Sequence, residues 1–148
     1  MEKPLLKTVL IYENFAAGVS ASWFCQSLAW ALGCVLQEQM WNFDVLEIRE
    51  VRKDAATAAK QADLVIVSVS GHMELPGSVR AWLDMWLQLL DDGHPALVAF
   101  FNTAASPKMP SIRAYLSTIA ERAGIAFFLH KKATAAGNSG LSRHSGFR

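Results

Sequence analysis

The sequence lacks the short motifs that identify most hydrolases and nucleotide-binding enzymes. It contains no Gly-x-Ser-x-Gly elbow, no Gly-x-x-x-x-Gly-Lys-Ser/Thr phosphate loop and no His-Glu-x-x-His pair. Its histidines are dispersed along the chain, at His72, His94, His130 and His144. Because a metal ion needs several ligands brought close together, we expect no metal centre. The missing motifs give no indication of a hydrolase.

Charged residues are scarce and nearly balanced in sign. Only 18% of the 148 residues are charged, and the formal net charge is +1. Proteins dedicated to nucleic acids or to anionic membranes need a strong basic excess, so we expect neither partner. Hydrophobic residues make up 52% of the chain, which is enough to build the core of one domain.

Long hydrophobic runs are also missing. The apolar run at 8–12 is far too short to cross a bilayer. The N-terminal residues Met1-Glu2-Lys3-Pro4 are not followed by an apolar core with a small-residue cleavage site. We therefore expect a soluble protein of the cytoplasm.

Cysteine is nearly absent, with only Cys25 and Cys34 in the chain. Both fall within the predicted first helix, where nine residues correspond to about 13 Å of rise and place the side chains on opposite faces. We therefore expect two separate thiols rather than a disulfide or a shared metal site.

Strand and helix signals alternate along the chain as far as residue 129. Apolar, β-branched runs predict five strands, at 8–12, 43–48, 63–69, 96–101 and 125–129. The intervening segments predict helices at 20–39, 53–61, 76–90 and 111–123. Ser20 is the predicted N-cap of the first helix, and Gly124 is the predicted C-cap of the last.

This alternation predicts an α/β fold with a doubly wound, five-stranded parallel sheet. Right-handed crossovers place helices on both faces of such a sheet, which makes a three-layer sandwich, and the common strand order is 2-1-3-4-5. We assign residues 1–130 to this single domain. Residues 131–148 are predicted to be a flexible Gly/Ser-rich basic tail, so the helix that normally follows the fifth strand is short or missing.

Ligands of doubly wound sheets bind beyond the carboxyl ends of the strands, where the strand order reverses. Three predicted loops meet at this edge, at 13–20, 70–76 and 102–107. The first of them enters a helix N-terminus, where free N–H groups and the helix dipole favour an anion such as phosphate.

The segment Phe15-Ala16-Ala17-Gly18-Val19-Ser20 resembles the phosphate-wrapping first loop of the flavodoxin-like flavoproteins. Gly18 and Ser20 match that loop, whereas Phe15 and Ala17 stand where hydroxyl residues are expected, and Ser22 could add a hydroxyl one turn later. Backbone amides could still bind a phosphate there.

The segment 76–86 resembles the helix that follows the flavin-contacting loop in NADPH-dependent FMN reductases. The matching residues are Pro76, Gly77, Val79, Arg80 and Asp84. Together the two resemblances imply a flavodoxin-like fold and an FMN cofactor. The cofactor contacts that they imply are Gly18, Ser20, Ser22, Gly71, His72, Asn102 and Thr103, with residues 71–75 and 102–104 flanking the flavin ring.

The chain also resembles the receiver domains of response regulators, which share this topology. Glu13, Thr103 and Lys131 stand at corresponding places. The phospho-acceptor place holds Ser68, or Ser70 in a shifted register, and a serine hydroxyl cannot form an acyl phosphate. This resemblance therefore implies a degenerate domain that does not accept phosphate in the usual way.

Aromatic residues are concentrated on two predicted helices. Trp23, Phe24 and Trp30 lie on the first, and Trp82 and Trp86 lie on the third. A helix that is apolar on nearly every side needs burial on nearly every side, which one sheet face cannot provide. We expect a homodimer or partner contact through an aromatic-rich helical face, unless the tail folds back over it.

Three functions stay open at this point. The first is a non-catalytic binding or signalling domain, because partly matching motifs lie on an intact scaffold; a degenerate receiver domain is one form of it. The second is an FMN-binding NAD(P)H-dependent oxidoreductase. The third is an unrelated small-molecule binder or enzyme that uses the same crevice. No catalytic residue is assigned, and whether the chain is an enzyme is left open.

Overall fold

In the computed structural model, residues 2–91, 95–103 and 106–132 are described. Their strands form one parallel sheet in the order β2-β1-β3-β4-β5, which confirms the predicted topology. The strands are β1 (Leu5–Tyr12), β2 (Val35–Asn42), β3 (Leu64–Val69), β4 (Ala96–Phe101) and β5 (Ala126–Lys131). The helices are α1 (Phe15–Leu32), α2 (Arg49–Lys60), α3 (Gly77–Leu89) and α4 (Met109–Ala123), with a short 3₁₀ helix at Phe43–Glu47.

Strand β3 is the centre of the sheet, hydrogen-bonded to β1 on one side and β4 on the other. Every residue of β3 is buried, and Val65 pairs with Val9 and Leu97. An unbroken apolar run is the pattern of a parallel strand covered on both faces, and that prediction is confirmed.

The two faces of the sheet carry unequal layers of helix. One face packs against α2, α3 and α4 and holds the larger apolar cluster. The other packs against α1, and its smaller cluster includes Leu10, Cys25 and Phe100. Rings from α1, β4 and β5 fill part of this second face. The centroid of the His130 ring lies 4.6 Å from that of Phe24 and 5.1 Å from that of Phe100. Burial lowers the pKa of His130, so its imidazole is neutral at neutral pH.

Helix α3 buries its two tryptophans completely, and the cover comes from within the domain. Trp82 and Trp86 stack with ring centroids 5.9 Å apart. Both belong to the same apolar cluster as the small residues Ala55, Ala56 and Ala59 of α2. Because alanine side chains are short, the α2 face leaves room for two indole rings between the helices and the sheet.

The prediction for the first helix is wrong at both ends. Ser20 is not the N-cap: Asn14 precedes the helix, and its side chain accepts the N–H of Ala17 at 2.9 Å. The helix ends at Leu32, because Gly33 adopts φ +69° and its N–H bonds back to the carbonyls of the last turn. Asparagine before a helix and glycine after it are the usual cap residues, so the sequence did contain both signals.

The second strand was also misplaced. Residues 35–39, predicted as the end of the first helix, belong to β2, which pairs with β1 from Leu5 opposite Val35 to Tyr12 opposite Asn42. The predicted strand at 43–48 is instead mostly the 3₁₀ helix, which Asn42 caps by accepting the N–H of Asp44. Strand β2 is polar because it lies at the edge of the sheet, where solvent reaches it.

The two cysteines do not share a helix, contrary to the prediction. Cys25 is buried in α1, whereas Cys34 lies between α1 and β2. Both are free thiols, as expected. Burial raises the pKa of the Cys25 thiol strongly, and the nearby Glu38 carboxylate raises it further, so Cys25 stays protonated and unreactive.

The remaining boundaries agree with the predictions to within a few residues, and Gly124 caps α4 with φ +72°. The predicted tail lies outside the described residues from residue 133 onward, and so does the helix expected to be short or missing. None of the helices in the described part of the chain combines the length and apolarity needed to cross a bilayer.

Candidate functional site

A crevice opens at the carboxyl edge of the sheet, where the strand order reverses between β1 and β3. It encloses about 430 Å³ including its open mouth. Three acidic side chains line it, together with five apolar ones: Glu13, Asp44 and Glu74, and Phe43, Val69, Met73, Leu75 and Pro76. The crevice therefore lies where doubly wound sheets bind ligands, but its polar lining is acidic.

The Glu13 carboxylate is fixed at this reversal point. Glu13 follows β1 directly, and its backbone N–H donates to the carbonyl of Ser68 at 3.0 Å. Its carboxylate accepts the backbone N–H of Ser70 at 2.9 Å and the Ser70 hydroxyl at 3.0 and 3.2 Å. The hydrogen bonds from the end of β3 thus hold a negative charge against the crevice.

The connection from β1 to α1 is much shorter than the predicted loop at 13–20. Only Glu13 and Asn14 separate the strand from the helix. Asn14 takes up two N–H groups of the first turn, accepting from Ala17 with its side chain and from Gly18 with its carbonyl at 2.9 Å. No extended loop remains here to wrap a phosphate.

The three candidate phosphate contacts on α1 are not among the residues that line the crevice. Gly18 lies in the helix against the ring of Tyr12. The Ser20 hydroxyl accepts from the Lys132 ammonium at 3.2 Å, and the Ser22 hydroxyl donates to Glu38 at 2.9 Å. These serines tie α1 to the end of β5 and to β2.

We expect Gly18→Ala to destabilise the protein despite the better helix propensity of alanine. A Cβ at position 18 would lie 2.9 Å from the Tyr12 ring, so α1 or the ring would have to move. The loss should be about 1–2 kcal/mol in urea unfolding. In a Tyr12→Ala background the same change should become stabilising by up to about 1 kcal/mol. Equal effects in both backgrounds would show that the close approach to the Tyr12 ring is not the reason why glycine is needed at position 18.

The loops after β3 and β4 are joined by a network of hydroxyl groups. The Thr103 hydroxyl donates to the Ser70 carbonyl at 2.8 Å, and the Ser106 hydroxyl donates to the same carbonyl at 2.9 Å. Gly71 has φ +84°, and its carbonyl accepts the N–H of Lys108 at 2.7 Å. The structure thus brings the candidates Gly71 and Thr103 together, through Ser70 and Ser106.

Ser106 was not predicted as part of the site, and Ser70 was singled out only as an alternative phospho-acceptor. The signal for both was the recurrence of hydroxyl residues just after strand ends. The other two candidates of this edge lie nearby. The side chain of His72 is exposed. Asn102 donates its N–H to Val69 at 3.0 Å, and its buried Oδ1 has no hydrogen-bond partner among the described residues.

The receiver-like positions come together only in part. Ser70, the alternative to Ser68, contacts both Glu13 and Thr103. Ser68 is completely buried, and its hydroxyl donates to the Ala17 carbonyl at 2.7 Å. Lys131 is exposed at the end of β5. Ser70, rather than Ser68, therefore occupies the place corresponding to the phospho-acceptor.

These residues do not fit an FMN phosphate in the way the resemblance implied. The helix entry has no hydroxyl-rich loop, the Asn14 side chain already takes the free N–H of Ala17, and the Glu13 carboxylate just before the helix is negative. Phosphate sites at helix N-termini depend on free N–H groups and favourable charge, and here both are reduced.

No protein-family model matches this chain, and no curated protein matches it. Several solved structures share its fold, including two bacterial proteins. The Trp repressor binding protein from Bacillus subtilis aligns over 94% of this chain and 92% of its own, with a TM-score of 0.53 and 10% identity. An oxidoreductase from Corynebacterium diphtheriae aligns over 87% of this chain and 82% of its own, with a TM-score of 0.59 and 11% identity. At such identities the likeness establishes the fold, which is flavodoxin-like.

Proposed function

We propose that this chain is a flavodoxin-like binding domain that works without FMN and without catalysis. The observation that carries the proposal is the Glu13 carboxylate, held by Ser70 at the point where the strand order reverses. A bound phosphate there would face a fixed negative charge instead of a set of donors.

The electrostatic penalty for a phosphate at this place is substantial. Two like charges 4 Å apart repel by about 1 kcal/mol in water and by about 4 kcal/mol at the effective dielectric constant of a protein surface. The hydroxyl residues missing at Phe15 and Ala17 would each have contributed about 1–3 kcal/mol. Together these terms remove most of the affinity that a phosphate anchor provides.

The same lining suits a ligand group that is neutral or positively charged. Among the crevice carboxylates, Glu74 has a partial counter-charge in Lys108, at 3.9 Å, and also accepts the hydroxyl of Ser111 at 2.9 Å. The apolar side chains beside them would cover the body of such a ligand. A cationic group carried on an apolar body is the chemistry that this crevice would select.

An FMN-dependent oxidoreductase is the second candidate, favoured by the fold it shares with a solved oxidoreductase. It requires the flavin ring to enter between residues 71–75 and 102–104. In the structure these two loops are bonded to each other through the Ser70 carbonyl and the hydroxyls of Thr103 and Ser106. A ring between them would have to break this network, which weighs against the second candidate.

Titration with FMN, followed by flavin fluorescence and calorimetry, tests the proposal. We expect the purified protein to be colourless, with an FMN dissociation constant above about 100 μM. Glu13→Gln removes the fixed charge and keeps the shape, so it should tighten FMN binding about tenfold. The matched control is Glu121→Gln, near the far end of α4, which should leave FMN binding unchanged.

Two results would count against the proposal. Saturable FMN binding by the wild-type protein in the low micromolar range would establish the second candidate. An equal response of Glu13→Gln and Glu121→Gln would show that the carboxylate at the reversal point is not what opposes the phosphate.

A further inference from the structure

The outward side of α1 is uncovered by any other described residue, although it is strongly apolar. The helix buries small residues against the sheet: Ala17, Gly18, Ala21, Cys25 and Ala29. On the opposite side, Phe15, Trp23 and Trp30 are 82%, 64% and 85% exposed, and Val19 is also exposed. We call these four residues the α1 stripe. Single exposed apolar residues are common on protein surfaces, whereas several aromatic residues along one side of a helix, here with the exposed Gln26 among them, indicate an interaction surface.

The α1 stripe is narrow, long and uncharged. At 3.6 residues per turn its four residues fall within an arc of about 80°, and Phe15 and Trp30 are about 22 Å apart along the helix axis. Trp23 lies near the midpoint between them. The 18 residues of α1 contain no aspartate, glutamate, lysine or arginine.

The absence of charge narrows the range of partners. A helix that binds a membrane surface carries basic residues on its polar face, and α1 has none. A charged protein surface would lose its hydration against this stripe without gaining an ion pair. A second copy of this chain presents the same uncharged stripe, and Trp23 lies near the middle of each stripe. Two antiparallel stripes would therefore complement each other.

We propose that the chain forms a homodimer in which α1 packs antiparallel against α1 of a second copy. The two-fold axis passes close to Trp23, so that Phe15 of each copy meets Trp30 of the other. The three aromatic residues would bury about 450 Å² per copy, given that an aromatic side chain buries roughly 200 Å² when fully covered. This is more than half of the area, about 800 Å² per partner, that a standard interface buries.

The C-terminal segment of this chain is the competing occupant. Lys132 bonds to Ser20 and so leads the chain toward α1. However, residues 133–148 contain only two large apolar side chains, Leu141 and Phe147, against the four residues of the α1 stripe. They also carry Arg143 and Arg148, for which α1 offers no acidic partner.

Sedimentation velocity of the full chain over a wide concentration range tests the dimer. The wild-type protein should reach twice the chain mass of 16.3 kDa. Trp23→Lys should weaken the dimer about 30-fold or more while circular dichroism shows an unchanged fold. The control is Ile48→Lys, which replaces an exposed apolar residue outside α1 and should leave the dimer intact.

A charge-swap pair tests the antiparallel register. Phe15→Arg and Trp30→Glu should each weaken the dimer, and the double variant should lose less than the sum of the two single losses, because each new arginine then faces a new glutamate. Losses that simply add would overturn the register. A wild-type protein that stays monomeric at every concentration would overturn the dimer. If only Leu141→Ser with Phe147→Ser makes it dimerise, the C-terminal segment is the occupant.

Discussion

Replacing Trp86 by alanine is expected to lower the free energy of unfolding by about 4 kcal/mol, measured by urea denaturation. The side chain is completely buried, and it stacks on Trp82 with an interplanar angle of 14°. Alanine would leave a cavity between α3 and the sheet, and the alanine face of α2 offers no longer side chain that could relax into it.

Trp86→Phe is the control that separates packing from hydrogen bonding. The indole nitrogen of Trp86 has no hydrogen-bond partner among the described residues. Replacement by phenylalanine therefore reduces the volume of the ring without breaking a hydrogen bond. It should cost about 1–2 kcal/mol, well below the alanine variant. Equal losses would mean that the indole N–H, which both variants lack, accounts for the stabilisation, and not the volume of the ring. If Trp86→Ala does not fold, a wild-type-like fold of Trp86→Phe still distinguishes the two explanations.

Gly71→Ala is expected to lower the free energy of unfolding by about 3 kcal/mol, again in urea. Gly71 has φ +84°, in the left-handed region where a Cβ adds about 1–2 kcal/mol of strain. The added Cβ would also lie 2.5 Å from the Cβ of Ser106. Overpacking at that distance adds about 1–3 kcal/mol unless the loop after β4 moves.

Gly77→Ala is the matched control for this prediction. Gly77 begins α3, no heavy atom would lie within 4 Å of its new Cβ, and its φ is negative. Its replacement should be neutral or stabilising by up to about 1 kcal/mol. Adding Ser106→Gly to Gly71→Ala should recover part of the loss by removing the clash. A Gly71→Ala variant within about 0.5 kcal/mol of wild type would contradict the role of Gly71 in joining the two loops.

The central part of the fold could be predicted from residue patterns alone. All of β3 is buried, and so is β4 from Leu97 to Phe101; such unbroken apolar runs are typical of the middle of a parallel sheet. Cap residues predicted where helices end, as Gly124 does for α4. Once strands and helices alternate, right-handed crossovers leave few sheet orders, so the order 2-1-3-4-5 followed as well.

The error in α1 and β2 has a physical cause. Residues 35–42 are only partly buried, so the polar residues Gln37, Glu38 and Gln39 do not show a buried strand. What makes this segment a strand is its pairing with β1 along eight residues, which is a long-range contact. Helix propensity and pairing compete here, and the pairing prevails.

A crevice lies at the carboxyl edge where a site was expected, but the acidic side chains that line it were not predicted. Residue patterns were sufficient to predict a doubly wound sheet, the edge at which the crevice lies and the hydroxyl residues that follow strand ends, because these depend on local patterns. The contact of Glu13 with Ser70, the packing of Gly18 on Tyr12 and the exposure of the α1 stripe could be seen only in the folded chain. Glu13 and Ser70 are 57 residues apart in the chain, and the other two features depend on how α1 lies against the sheet, so no local pattern encodes them.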